Sequence, residues 1–200
     1  MNNRNLFVIA GVILGVAVLA VGWKVFAQPY TYQGSLIDPP VSAAEIENPD
    51  QYGNPFRLSE QRGKVVLLFF GYTNCPDVCP TTLAQFKQIK AKLGDLADQT
   101  RFVFITVDPE RDTQERVRLY LDNFDPSFVG LSGDRSDLEA IWQNYFVYQA
   151  KQDTGSAAGY VVDHTSRIYA IDKEGNLRMT YPFEMEQEAI LDDVRHLIQE

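Results

Sequence analysis

Apolar and polar positions follow two different periods along this chain after residue 56. The runs KVVLLFFGY and RFVFITVDP are almost continuously apolar; the first is bounded by Gly63 and Gly71, and the second stops at Pro109. Such runs are typical of strands that are buried on both faces of a sheet. Between them, apolar residues recur every three or four positions, as they do in amphipathic helices. The pattern therefore predicts alternating strands and helices.

Four helices are predicted from this spacing. The first follows a short segment that contains both cysteines and ends at Gly94. DTQE (Asp112–Glu115) and SDLE (Ser136–Glu139) resemble capping boxes, which predicts that each opens a helix. The last helix is predicted from Ile190 to Ile198. The helix that opens at Ser136 is expected to carry on one stripe Leu138, Ile141, Trp142, Tyr145 and Phe146.

The predicted order of elements is β-α-β-α-β-α-β-β-α, with a hairpin in SRIYAIDKEGNLRMTYP that turns at residues 174–176. This order indicates an α/β domain with a central mixed sheet and helices on both faces. In open sheets of this kind, chemistry occurs beyond the carboxyl ends of the strands. The cysteine loop leaves the end of the Val65–Phe70 strand, and Asp108 follows the end of the next predicted strand. Both are therefore expected at the functional edge.

The first 27 residues are not expected to belong to this domain. Leu6–Trp23 is an uncharged apolar run, flanked by Arg4 and Lys24, that is just long enough to span a bilayer as a helix. VFA at residues 25–27 resembles a signal-peptidase site, so a cleaved signal peptide is the alternative. We favour an uncleaved single-pass anchor because the apolar run is longer than a typical signal core. Either way, the folded part is predicted to be exported.

Residues 28–50 are rich in proline, glycine and polar residues and show no period, which predicts a linker before a domain at 51–200. The net charge of the chain is −9. A nucleic-acid-binding domain needs a basic face, so this acidic balance argues against a nucleic-acid partner.

The only two cysteines, Cys75 and Cys79, lie in YTNCPDVCPTTL at a C-x-x-x-C spacing. A structural disulfide across this short loop would contribute only about 2 kcal/mol in the chain-entropy model. Pro80 suits the first turn of a helix, which places Cys79 near the N-cap, where backbone N–H groups stabilise a thiolate. The spacing therefore favours a reactive pair, used either for thiol–disulfide exchange or for metal binding. A binding module with a permanent disulfide also remains open.

A metal site needs more ligands than two thiolates, and the chain has two histidines. His196 is predicted on the polar side of the last helix, with no role in a site. His164 lies at a junction between two extended segments, in VVDHTSRIYAID. Two thiolates are soft ligands that favour Cu(I), zinc or iron–sulfur clusters, and an imidazole can complete a three-coordinate site. A lone histidine at such a junction is also consistent with an ordinary polar residue.

Three widely separated segments, LLFFGYTNCPDVCPTTL, FITVDPERDT and VVDHTSRIYAID, resemble the SCO/SenC family over roughly residues 51–200. The resemblance implies a thioredoxin-like fold and a membrane-anchored copper protein that assembles the copper-A site of cytochrome c oxidase. It implies that Cys75, Cys79 and His164 ligate copper. Asp108 and Asp112 match the two acids of the family's D-P-x-x-D element. We expect Asp108 to influence the metal and Asp112 to cap the following helix.

The main hypothesis is therefore a copper chaperone rather than a turnover enzyme. It would hold Cu(I) or Cu(II), with Asp108 as a candidate further ligand for Cu(II). The implied partners are the oxidase subunit that carries the copper-A site, a copper donor and a thiol reductant. The implied location is the inner membrane, with the domain on the periplasmic side. The alternative is a metal-free thiol–disulfide oxidoreductase, in which Cys75 and Cys79 are a catalytic redox pair that reduces the acceptor's cysteines.

Overall fold

The structure is a computed structural model that describes residue 7 and residues 11–16, 30–156 and 159–200. The chain divides into two compact units, Met1–Thr31 and Tyr32–Glu200. Residues 11–16 of the first unit are helical. The rest of the predicted membrane anchor, apart from Phe7, lies outside the described residues. Within the described part of the chain, no helix has both the length and the apolar character to cross a membrane.

The second unit contains ten strands and four α-helices within its described residues. Short 3₁₀ helices also occur at Leu58–Gln61 and Gly94–Gln99. In chain order the elements are β1 (Ser35–Ser42), β2 (Glu47–Pro49), β3 (Pro55–Arg57), β4 (Val65–Gly71), α1 (Val78–Leu93), β5 (Thr100–Thr106), α2 (Gln114–Asp122), β6 (Val129–Leu131), α3 (Arg135–Asn144), β7 (Gln149–Ser156), β8 (Gly159–His164), β9 (Arg167–Ile171), β10 (Asn176–Pro182) and α4 (Gln187–Gln199).

Six of the strands form one sheet in the order β1-β10-β9-β4-β5-β6. β4, β5 and β6 are parallel, whereas β9 is antiparallel to both β4 and β10, and β1 is antiparallel to β10. The predicted mixed sheet and the predicted β9–β10 hairpin are therefore confirmed. Two further pairs, β2–β3 and β7–β8, form separate two-stranded sheets.

The central strand β4 is buried along its whole length, as its unbroken apolar sequence predicts. Its side chains alternate between the two faces of the sheet. On one face Phe69 packs edge-to-face against Phe86 of α1. On the other face Phe70 packs against Tyr145, which directly follows α3. The prediction of helices on both faces is confirmed.

The predicted helix starts are wrong by one residue for α2 and by two residues for α3. The N-cap of α2 is Thr113, whose hydroxyl accepts a hydrogen bond from the Arg116 N–H at 3.2 Å, and not Asp112. Asp112 is buried instead, because hydroxyl groups elsewhere in the fold donate to its carboxylate. α3 begins at Arg135 and not after Ser136, and its N-cap Asp134 makes no side-chain capping bond.

The predicted stripe on α3 is wrong at Phe146. The helix ends at Asn144, so helical spacing no longer applies two residues later. Tyr145 is buried, and its hydroxyl donates to the Ala44 carbonyl at 2.6 Å. Phe146 instead has a φ of 54° and its side chain is 90% exposed.

The segment predicted to be a linker, residues 28–50, also differs in the structure. Ser35–Ser42 forms the edge strand β1 of the main sheet. The N–H groups of Gln33 and Gly34 both donate to the carboxylate of Asp193 on α4. An edge strand that leaves most of its side chains exposed buries too few of them to show a period, and prolines are tolerated at sheet edges.

Gly130 in β6 provides a test of this packing. A methyl group added there would press against Val117 Cγ1 and lie 2.6 Å from Leu121 Cδ1, both on α2. We expect Gly130→Ala to lower the free energy of unfolding by about 1–3 kcal/mol, because overpacking forces neighbours out of place. Urea denaturation of the 32–200 unit measures the change.

Val117→Ala provides the matched control because it removes the atom that the new methyl group meets. In that background the cost of Gly130→Ala should be clearly smaller. An equal cost in both backgrounds would mean that the two elements do not pack as described.

Candidate metal site

The two cysteines lie where β4 passes into α1. β4 ends at Gly71, and the helix begins at Val78 with Asp77 as its N-cap. Cys79 is therefore the second residue of the helix, in the first turn, as the sequence suggested, although Pro80 is the third helical residue rather than the first. The Cys79 N–H donates to Cys75 Sγ at 3.4 Å, so an otherwise unpaired helix-end donor serves the other cysteine.

Glycine at the end of β4 leaves room for the buried sulfur. Cys79 is completely buried, and a Cβ built on Gly71 would lie only 2.8 Å from its Sγ. Any side chain at position 71 would displace that sulfur. Cys75 is only half-buried, and both cysteines are free thiols.

His164 is the last residue of β8 and reaches the cysteines from a different part of the fold. Its Nε2 lies 3.6 Å from Cys79 Sγ, and its Nδ1 lies 3.1 Å from the Thr165 carbonyl oxygen. A carbonyl can only accept, so Nδ1 carries the proton of the neutral ring, which leaves the Nε2 lone pair available to a metal. The ring is also held edge-on by Phe69 and Tyr72, at centroid distances of 6.1 and 5.8 Å.

The ligand atoms of Cys75, Cys79 and His164 all lie within 4.8 Å of one another. Among the residues that the structure describes, they form the one group of three or more Cys, His, Asp or Glu side chains arranged to hold a metal ion. Thiolate and imidazole bonds to a zinc-sized ion are about 2.0–2.3 Å long, so two ligands on opposite sides of such an ion lie roughly 4.0–4.6 Å apart, close to the spread of this group. Two sulfurs and one neutral imidazole are a soft set that suits Cu(I).

The two thiols differ in acidity because their surroundings differ. A hydrogen bond from Cys79 lowers the pKa of Cys75 to about 4, although partial burial opposes the shift. Burial raises the pKa of Cys79 well above its ordinary value, and the neighbouring Cys75 raises it further. At neutral pH the pair therefore consists of a thiolate at Cys75 and a thiol at Cys79. Binding of a metal to both sulfurs would release the remaining proton.

An open cleft of about 300 Å³ leads to the group. Its walls include Cys75, Pro76, Val78, Val161 and His164. The sulfur of Cys75 and the histidine can thus be approached from solvent, while Cys79 lies behind them. A site of this shape allows another molecule to reach the metal ligands.

Asp112 has a role that the sequence did not reveal. Its buried carboxylate accepts hydrogen bonds from the Thr73 N–H at 3.0 Å, the Thr73 hydroxyl at 2.6 Å and the Thr106 hydroxyl at 2.6 Å. Burial raises the pKa of Asp112, and these three donors oppose that rise. Because Thr73 lies in the cysteine loop and Thr106 ends β5, Asp112 fixes the loop to the sheet.

Asp108 is buried near this edge but is not part of the three-residue group. One of its carboxylate oxygens accepts from Arg111 Nε, and the other accepts from the Tyr160 hydroxyl at 2.6 Å. The structure thus places Asp108 against the strand that carries His164. Its influence on a metal stays a prediction. His196 lies 3.5 Å from Glu200 and outside the group, as expected.

The acidity of Cys75 can be tested by alkylation of variants that keep it as the sole thiol. Cys79→Ser retains a hydroxyl donor, so the rate with iodoacetamide in the presence of a chelator should be independent of pH above about pH 6, since the thiolate is the reactive form. Cys79→Ala removes the donor, and its rate should still rise toward pH 8.5, the ordinary thiol pKa. The same steep rise in both variants would contradict the proposed hydrogen bond.

Comparisons with known proteins place this geometry in context. The family model described as SCO1/SenC matches residues 41–199. The SCO2-like protein of Rickettsia prowazekii is 30% identical over 195 residues, covering 96% of this chain and 95% of that protein. The mitochondrial SCO2 homologue of Mus musculus is 34% identical over 151 residues, covering 74% of this chain and 59% of the mouse protein.

Solved structures agree with the sequence comparison. Copper-bound ScoI of Bradyrhizobium japonicum superposes with a TM-score of 0.71 at 36% identity, over 78% of this chain and 99% of that one. Copper-bound yeast Sco1 gives a TM-score of 0.71 at 28% identity, over 80% and 90% of the two chains. The match of the family model to most of the chain decides the matter: this protein belongs to the SCO1/SenC family.

Proposed function

We propose that this protein binds copper through Cys75, Cys79 and His164 and delivers it during assembly of the copper-A site of cytochrome c oxidase. The observation that carries the proposal is the cluster of two sulfurs and one oriented imidazole beside an open cleft. Copper is bound in similar structures from Bradyrhizobium japonicum and yeast, which supports the choice of metal.

The donor set determines which form of copper fits best. Two thiolates and a neutral imidazole would hold Cu(I) in a three-coordinate site with a net charge of about −1. Cu(II) favours a further hard ligand. Both carboxylate oxygens of Asp108 already accept hydrogen bonds, so Asp108 would have to release Tyr160 or Arg111 to provide one.

Delivery would proceed by ligand exchange with the acceptor's own cysteine and histidine side chains. Cys75 and His164 line the cleft, so an incoming ligand can meet copper on their side. Cys79 is buried against Gly71 and would be the last ligand to release the ion. Reloading requires both sulfurs as thiolates, which is why a copper donor and a thiol reductant belong to this proposal.

We also propose that residues 1–27 anchor the protein as a single-pass helix in the inner membrane, with the copper-binding domain on the periplasmic side. The uncharged run Leu6–Trp23 supports this arrangement. The compact unit begins at Tyr32. The segment between the anchor and the domain is therefore shorter in this proposal than the 28–50 linker suggested by composition.

Cu(I) titration of the reduced 32–200 unit tests the proposed ligands. With a chromophoric Cu(I) chelator as competitor, wild-type protein should bind one Cu(I). His164→Ala should bind at least about tenfold more weakly, the smallest loss that a disturbed ligand shell typically produces. His196→Ala is the matched control, because it removes the other histidine outside the cluster and should leave the affinity unchanged. Equal affinity of His164→Ala and wild type would refute the three-ligand site.

The acidic Cys75 also supports a second function, thiol–disulfide exchange. The Cys75 thiolate would attack a partner disulfide, forming a Cys75–partner bond as the partner's S–S bond breaks and its leaving sulfur takes up a proton. Cys79 would then lose its proton and attack Cys75, which forms the Cys75–Cys79 disulfide and releases the partner's second thiol. The partner gains two electrons, and a thiol reductant must restore the pair.

Trapping with oxidised glutathione distinguishes the attacking cysteine from the resolving cysteine. Cys79→Ser should accumulate one glutathione adduct at Cys75, because the resolving thiol is absent. Cys75→Ser should react far more slowly, because Cys79 is buried and poorly ionised. Intact mass and peptide mapping measure both outcomes. Preferential modification of Cys79 would rule out this order of attack.

A further inference from the structure

We propose that Arg111 is a positioning residue for His164. It sets the place of this ligand in the metal site by holding strand β8 against Asp108, which follows β5. The inference rests on the proposed function, because it assumes that His164 is a metal ligand. It assigns a role to a residue that contacts neither cysteine nor His164 directly.

His164 needs such a support because of where it is mounted. The cysteine loop continues directly from β4, the central strand of the six-stranded sheet. His164 ends β8, which pairs with β7 in a separate two-stranded sheet. The position of the imidazole relative to the sulfurs therefore depends on the two-residue link to β9 and on the contacts that tie β8 to the main body.

Arg111 makes several of these contacts at once, to both Asp108 and Tyr160. Its Nη1 donates to the Tyr160 carbonyl at 2.8 Å, and its Nε donates to the buried carboxylate of Asp108. The guanidinium carbon also lies 3.7 Å from the centroid of the Tyr160 ring, in a cation–π arrangement. The planar guanidinium thus holds both the backbone and the side chain of a residue four positions before His164.

Tyr160 of β8 also binds Asp108 directly. Its hydroxyl donates to the second oxygen of Asp108 at 2.6 Å. Asp108 is fully buried and the Arg111 side chain is 19% exposed, so water competes little for these bonds. Each of these hydrogen bonds has at least one charged partner, and such bonds are stronger than those between two neutral groups.

A second route leads from Arg111 to the histidine through Tyr72. The guanidinium carbon lies 5.7 Å from the Tyr72 ring, and the Tyr72 hydroxyl accepts from the Val162 N–H at 3.2 Å. The same ring packs edge-on against His164. Arg111 and Tyr72 therefore hold β8 at two points, four and two residues before the ligand, and fix where the strand ends.

The experiment measures Cu(I) affinity of the reduced domain by competition with a chromophoric chelator, in wild-type and His164→Ala backgrounds. Arg111→Lys retains the charge but cannot bridge Asp108 and the Tyr160 carbonyl with a planar fork. Tyr160→Phe removes only the hydroxyl that binds Asp108. Arg118→Met is the matched control, since Arg118 is an arginine on α2 that pairs with Asp122 at the surface.

With His164 present, we expect Arg111→Lys to weaken Cu(I) binding about tenfold, as typical for groups that orient a metal ligand. Tyr160→Phe should weaken it in the same direction, and Arg118→Met should have no effect. In the His164→Ala background neither Arg111→Lys nor Tyr160→Phe should weaken binding further. The Cu(II) complex of Arg111→Lys should also shift its sulfur-to-copper absorption toward that of His164→Ala.

Two results would overturn the inference while leaving the proposed function intact: an unchanged affinity in Arg111→Lys, or an equal loss with and without His164. The second would show that Arg111 stabilises the fold without acting through the ligand. If His164→Ala itself binds Cu(I) like wild type, the three-ligand site fails and the inference fails with it. Urea midpoints of the metal-free variants separate loss of folding from loss of positioning.

Discussion

The arrangement of this protein depends on how the segment Asp108–Thr113 is bound on two sides. Asp112 is buried and accepts hydrogen bonds from the loop that carries the cysteines. Asp108 and Arg111 bind the strand that carries the histidine. A carboxylate taken out of water is tolerated only where donors replace the lost hydration, so each buried acid requires its partners to stay in place. Two structurally separate sets of ligands are thereby held at one edge of the sheet.

Much of the fold could be predicted because buried strands and helices show a recognisable pattern of apolar residues. β4 is buried on both faces, and its residues are apolar without interruption. The strands that were not predicted lack such an apolar pattern. β1 is an edge strand with most side chains exposed, and the part of β7 whose exposure is described is largely polar. Phe146 was misassigned because periodicity cannot show where α3 stops.

The candidate site was predictable only in part, for a related reason. C-x-x-x-C after a buried strand places both thiols at the functional edge, and the resemblance indicated His164. The partners of the two acids could not be read in the same way, because they depend on long-range contacts. Tyr160 lies 52 residues after Asp108, and Thr73 lies 39 residues before Asp112. Asp112 suits a helix cap by its local sequence, but it is buried because those distant hydroxyls donate to its carboxylate.

The division of the site between a sheet and a hairpin has a mechanical consequence. The cysteines follow a strand that is hydrogen-bonded to neighbours on both sides, in the middle of the main sheet. β8 pairs only with β7 among the described strands, and side chains join it to the body. The place of the imidazole is therefore set by side-chain contacts and by the two-residue link from His164 to β9, and not by a ladder of the main sheet. One ligand of the site thus has a different kind of support from the other two.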